Sequence, residues 1–180
     1  MDWGRDLPGW PNAALSRRAA VAPHRWHVQE AGTGETLLLI HGAGASTHSF
    51  RDLLPLLAAD RHVVALDMPG QGFTQAGTTS RCALPLMTTD IAALLDAERW
   101  RPRAVIGHSA GAAVALALAE RLDPAPDVVG INAALGNFEG VAGWLFPALA
   151  KFLALNPFSA NLFTAGGASL SRARRLIEST

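Results

Sequence analysis

Gly107-His108-Ser109-Ala110-Gly111 reads G-x-S-x-G, and its flanks give it meaning. An apolar run, Ala104-Val105-Ile106, precedes it, and small and apolar residues at 110–122 follow it. The first suits a buried strand and the second a helix. A serine on a sharp strand-to-helix turn takes a strained backbone that exposes its hydroxyl above the sheet edge. Glycines at 107 and 111 fit that setting, because side chains there would collide as the chain doubles back. A serine hydroxyl is still a poor nucleophile until a base takes its proton. Whether the chain holds that base is the question the other residues must answer.

Outward from this turn, strand and helix patterns alternate. Arg25-Trp26-His27-Val28-Gln29 alternates apolar and polar, as a half-buried strand does. Thr36-Leu37-Leu38-Leu39-Ile40 is continuously apolar, which suits a strand buried on both faces of a parallel sheet. Residues 49–59 carry Phe50, Leu53, Leu54 and Leu57 at helical spacing, and 61–67 form another strand around Val63-Val64-Ala65-Leu66. Residues 68–72 are a loop punctuated by Pro69, Gly70 and Gly72. Residues 84–97 return to helical period, the serine turn follows, and 127–131 read as one more strand after Pro124 and Pro126. The alternation predicts a doubly wound, mostly parallel α/β sheet. From Asn132 onward helical apolar segments dominate.

Composition narrows the classes. The chain has 180 residues, the length of one domain, and its 49% apolar content supports a buried core. Fifteen basic and fifteen acidic residues cancel, so no overall field draws it to nucleic acid or an anionic membrane. Arg172, Arg174 and Arg175 lack interleaved aromatics and read as a solvated helix face, so no nucleic-acid partner is expected. The opening Met1-Asp2-Trp3-Gly4-Arg5-Asp6 is not a secretory signal pattern, and the lone Cys82 forms no internal disulfide. A cytoplasmic location is expected. The apolar stretch at 141–155 is broken by Gly143, Pro147 and Lys151, short of the roughly 20 residues of a membrane span, so no transmembrane segment is expected.

Ligands of α/β sheets bind beyond the carboxyl ends of the strands. His41-Gly42-Ala43-Gly44 leaves one such end, and its glycines let the backbone approach a ligand and present N–H donors. The Ala43 and Ala110 N–H groups are the expected oxyanion hole, each donor worth roughly 3–4 kcal/mol in a transition state. The plainer alternative is that Gly42 and Gly44 only permit a tight loop. His41 is read as orienting that loop. His108 adjoins Ser109, but neighbours at a strand end point to opposite faces, so its ring is expected to turn away. His24, His27, His48 and His62 show no metal-ligand spacing, so no metal and no cofactor are expected. Asp67 and Asp90 lack an adjacent partner for paired acid–base work, and Asp67 is read as bracing the 68–72 loop. Gly42-Ala43-Gly44 and Asp67 also approximate a dinucleotide-binding spacing, but Thr47 stands at the third glycine position and the serine turn stays unexplained.

His41-Gly42-Ala43-Gly44, Asp67-Met68-Pro69-Gly70-Gln71-Gly72 and the serine pentapeptide together resemble the α/β-hydrolase superfamily, matching its oxyanion loop, D-x-P-G-x-G loop and nucleophile elbow in order and spacing. Ser109 in place of aspartate sets the chain apart from the dehalogenase and epoxide hydrolase branches. Further stretches resemble the magnesium-chelatase accessory proteins of bacteriochlorophyll biosynthesis. These include Asp2-Trp3, Trp10-Pro11-Asn12, Trp26-His27-Val28-Gln29, Ala45-Ser46-Thr47-His48-Ser49, residues 130–135 and 142–147, and Ala150-Lys151. That resemblance implies work near magnesium insertion into protoporphyrin IX, a small apolar, ester or porphyrin-related substrate, and association with the chelatase.

The resemblance also implies a division into an α/β core over 1–136 and a partial helical cap over 137–180, with 141–158 and Trp144 in the cap. In this superfamily the triad runs serine, acid, histidine, with the last two on late strands. No histidine follows His108, so the acid, the base and the last strands are expected to be missing. A serine left with only an oxyanion hole and binding keeps about 10³–10⁴-fold over water. Residues 127–131 are then expected to form an uncovered sheet edge. Three readings follow: a C-terminally incomplete serine hydrolase of the accessory-protein type, a general esterase or perhydrolase, or a non-catalytic porphyrin- or partner-binding protein.

Overall fold

The computed structural model describes residues 1–77 and 79–135. Among these residues six strands form: β1 (Ser16–Val21), β2 (His24–Ala31), β3 (Thr36–Ile40), β4 (His62–Leu66), β5 (Pro102–His108) and β6 (Asp127–Ile131). They form one sheet in the order β1-β2-β4-β3-β5-β6. β3 pairs in parallel with β4 and β5, and β5 with β6, while β1–β2 and β2–β4 are antiparallel. The helices are α1 (Trp3–Asp6), α2 (Leu53–Leu57), α3 (Leu84–Ala97) and α4 (Ala110–Ala119). This is an α/β-hydrolase fold with a mixed, mostly parallel sheet.

The continuous apolar runs have the burial they need. Leu38, Leu39 and Ile40 of β3 and Val63, Val64, Ala65 and Leu66 of β4 are fully buried. Alternate residues then serve opposite faces, as the two-residue period of a strand requires. Leu38, Ile40, Val64 and Leu66 join Ile91, Leu94, Val114 and Leu118 of α3 and α4 on one side. Leu39, Val63 and Ala65 meet Phe50 and Leu54 on the other. β3 and β4 are thus covered on both faces, and their carboxyl ends are left to the loops.

Two departures from the sequence reading have clear causes. β1 was not foreseen, because a charged edge strand shows little apolar alternation. Only Ala19 of β1 is buried; Arg17 pairs with Glu30 at 2.8 Å and Glu98 at 2.6 Å, and the Arg18 guanidinium sits 4.4 Å from the centre of the Trp3 ring. Residues 49–59 were expected to be one helix, but the chain makes a 3-10 turn over Thr47–Phe50 and only then α2. Pro55 has no N–H and its ring excludes the carbonyl four residues earlier, so a helix started at 49 cannot run through it. Set in the first turn of α2, the same proline is harmless.

β6 lies at an edge of the sheet, with Val129 48% and Ile131 37% exposed. The expected cap at 137–180, with Trp144 and the arginines at 172–175, lies outside the described residues. Among the described residues no helix is long and apolar enough to cross a membrane.

Candidate active site

Ser109 links β5 to α4 at φ 53° and ψ −121°, outside the regions ordinary L-residues favour. Close packing holds that conformation. A Cβ on Gly107 would lie 2.4 Å from the Gly111 carbonyl oxygen, and one on Gly111 would lie 2.3 Å from the Ile40 carbonyl oxygen. The start of α4 therefore rests directly on the carboxyl end of β3. The Ser109 N–H donates to the Ile131 carbonyl at 2.9 Å, and the Ser109 carbonyl accepts from Ala112 at 3.1 Å and Ala134 at 3.2 Å. β6 and the residues after it clamp the turn.

The loop after β3 comes up against the serine. A Cβ on Gly42 would stand 3.1 Å from Ser109 Cβ, a tight contact in which a side chain there would press against the serine. His41 is buried and uses both ring nitrogens: Nδ1–H donates to the Gly42 carbonyl at 2.7 Å, and Nε2 accepts the Met68 N–H at 3.0 Å. Burial pushes its pKa below the usual histidine value, against the Gly42 carbonyl that favours the charged form, so the ring stays neutral. Gly44, at φ +72°, donates its N–H to Gln71 Oε1 at 2.6 Å. Neither the Ala43 nor the Ala110 N–H has a hydrogen-bond partner among the described residues. The site thus holds a strained serine beside two uncommitted backbone donors.

Asp67 braces more than the 68–72 loop. Its fully buried carboxylate accepts the Thr47 N–H at 2.6 Å, the Phe73 N–H at 2.8 Å and His27 Nδ1–H at 2.6 Å. A Cβ on Gly72 would fall 2.0 Å from Oδ2, so the carboxylate fills the space that this glycine vacates. Fully buried and accepting three internal donors, Asp67 is not presented to a ribose, which disfavours the dinucleotide alternative.

His27 Nε2 in turn lies 3.0 Å from Ser16 Oγ, which accepts from Gln29 Nε2 at 3.1 Å. Ser16, His27 and Asp67 therefore form a hydrogen-bonded chain joining β1, β2 and the end of β4, with Trp3 and Phe73 packed edge-on against His27 at 5.6 and 5.2 Å between ring centres. Asp90 was also read as lacking a partner. In the fold it pairs with His24 at 2.9 Å and takes both Nε and Nη2 of Arg81, whose hydrogen bond, ahead of a burial penalty, holds the carboxyl below its usual range. Sequence reading missed both pairs because their members lie 40 and 66 residues apart.

All six histidines of the sequence lie among the described residues, and none is hydrogen-bonded to Ser109. His24, His27 and His41 are committed as above, His48 to Ser46 Oγ at 2.7 Å, and His62 to Thr36 at 2.9 Å and Glu30 at 2.8 Å. Nδ1 of His108 is buried with no hydrogen-bond partner among the described residues, about 3.4 Å from where a Gly42 Cβ would stand. A cavity of about 260 Å³ lined by Leu95, Trp100, Pro102, Arg121 and Pro124 opens where β5 begins, at the opposite end of that strand from Ser109. Among the described residues no three histidine, cysteine or acidic groups gather as a metal site.

The chain is similar to known proteins. A family model described as alpha/beta hydrolase fold matches residues 35–179. The magnesium-chelatase 30 kDa subunit of Rhodobacter capsulatus is 47% identical over 180 residues, covering 98% of this chain and 63% of that protein. The 2-hydroxy-6-oxo-2,4-heptadienoate hydrolase of Pseudomonas putida is 30% identical over 113 residues, covering 61% of this chain and 41% of that one. The chain therefore spans less than two thirds of the length of these curated relatives. A solved alpha/beta hydrolase fold protein from Burkholderia ambifaria superposes with a TM-score of 0.67 at 24% identity, over 86% of this chain and 58% of that one, a likeness of fold alone.

Proposed function

The chain belongs to the α/β-hydrolase fold family, and from that premise we propose that Ser109 is the nucleophile of a serine hydrolase acting on esters or related acyl compounds. The backbone of Ser109, at φ 53° between β5 and α4, is the observation that carries this reading. Its hydroxyl oxygen attacks the acyl carbon, and the Ala43 and Ala110 N–H groups receive the negative charge that develops on the carbonyl oxygen. His41, Gly42 and Gly44 shape the loop that brings Ala43 there.

Ser109 is hydrogen-bonded to none of the six histidines, and five of them are engaged elsewhere. We therefore expect these 180 residues alone to hydrolyse p-nitrophenyl acetate barely above the uncatalysed rate, with Ser109→Ala removing the small excess. A turnover typical of an intact hydrolase, abolished by Ser109→Ala, contradicts the missing-base argument.

The relative from Rhodobacter capsulatus supports a narrower reading, in which the chain works beside a magnesium chelatase; to this we add, as our own proposal, a cytoplasmic setting and a porphyrin-related ligand. Titration with protoporphyrin IX tests it through the Soret band and tryptophan quenching. Saturable changes at tens of micromolar are expected; an unchanged spectrum there removes the porphyrin and leaves the general esterase reading.

A further inference from the structure

We propose that Gln71 is the positioning residue of the oxyanion loop, and that it is an amide because a carboxylate there would oppose the charge the loop is built to receive. The proposal rests on the reading of Ser109 as nucleophile and adds a residue that the D-x-P-G-x-G pattern leaves unspecified.

The base of the β3 loop is secured on both sides. His41 is buried and doubly bonded, and Thr47 is pinned by Asp67. The crest between them is not. Ala43 and Gly44 are exposed, and nothing lies within 4 Å of where a Gly44 Cβ would be, so packing does not hold it. Hydrogen bonds do. A peptide unit is planar, so the direction of the Ala43 N–H follows from that of the Gly42 carbonyl. That carbonyl accepts from His41 Nδ1–H at 2.7 Å and from the Ala45 N–H at 3.2 Å.

The next peptide unit carries the Gly44 N–H, whose acceptor is Gln71 Oε1 at 2.6 Å. Without it, the unit between Ala43 and Gly44 turns freely and takes the longer Ala45 bond with it. Gln71 is well placed to act as a stay, since its own N–H donates to Met68 at 2.9 Å and its carbonyl accepts from Thr74 at 3.1 Å. A glutamate would accept the same N–H while placing a full charge near the oxyanion. Glutamine supplies the acceptor without that charge.

The test uses the 15N-labelled 180-residue chain with phenylboronic acid, which adds to a serine oxygen to give a tetrahedral anion. Amide exchange at Gly44 reports the stay, and shifts at Ala43 and Ala110 report the adduct. In Gln71→Met, Gly44 should exchange faster and boronate affinity should fall by roughly tenfold, short of the 10²–10³ that follows outright loss of an oxyanion donor. In Gln71→Glu above the carboxyl pKa, Gly44 should stay protected while affinity still falls roughly tenfold; a purely structural role would leave that affinity unchanged. Wild-type exchange and affinity in Gln71→Met overturn the proposal. Wild-type affinity in Ser109→Ala, or no shift in the wild-type chain, overturns the nucleophile reading instead, and Gly44 exchange in Gln71→Met still shows whether Gln71 holds the loop.

Discussion

Gly111 shows how little freedom the site leaves at the level of one residue. An added methyl would stand 2.3 Å from the Ile40 carbonyl oxygen and 2.5 Å from that of His41, both backbone atoms at the end of β3. Neither can yield without moving the strand that carries the oxyanion loop. Gly111→Ala should therefore cost on the order of 3 kcal/mol, at the upper end of what overpacking costs, read as a lowered urea midpoint. Near wild-type stability would mean that α4 does not rest on β3 as described. Ser109, Gly107 and Gly111 were legible in the sequence because their constraint is local, a five-residue turn between a strand and a helix. The Gly44–Gln71 bond was not, since nothing in a sequence marks which distant side chain meets an exposed amide 27 residues away.

Among the elements, legibility follows burial. β3, α3 and β6 were read with the bounds they have, because continuous apolar runs and a helical period leave few alternatives. β1 was missed because its stability comes from ion pairs and from pairing with β2, neither of which leaves a periodic trace. Asp67 was legible only as a brace for its own loop; that the loop after β3 and the strand β2 meet on the same carboxylate was not. Asp67→Asn keeps the shape but turns an NH₂ toward at least one of three donors, leaving that donor buried and unsatisfied. We expect a loss of about 3 kcal/mol, as when a buried pair is broken, together with faster exchange at the Thr47 and Phe73 amides. Faster exchange at Phe73 alone would show that Asp67 braces its own loop and not the one after β3.

At the scale of the whole fold, none of the histidines among the described residues is hydrogen-bonded to Ser109. The fold sets a strained serine beside two uncommitted donors, yet its Ser–His–Asp chain runs through Ser16, His27 and Asp67 and binds strands together instead of serving Ser109. A nucleophile so placed should accept an acyl group slowly and lose it more slowly still, because deacylation also needs a base. The p-nitrophenyl acetate experiment tests this most directly when read by mass spectrometry. One acetyl group should build up on the tryptic peptide 104–121, whose only hydroxyl is that of Ser109, and it should be absent from Ser109→Ala. No acetyl group on that peptide, or the same labelling of the chain in Ser109→Ala, would contradict the claim that Ser109 is the nucleophile.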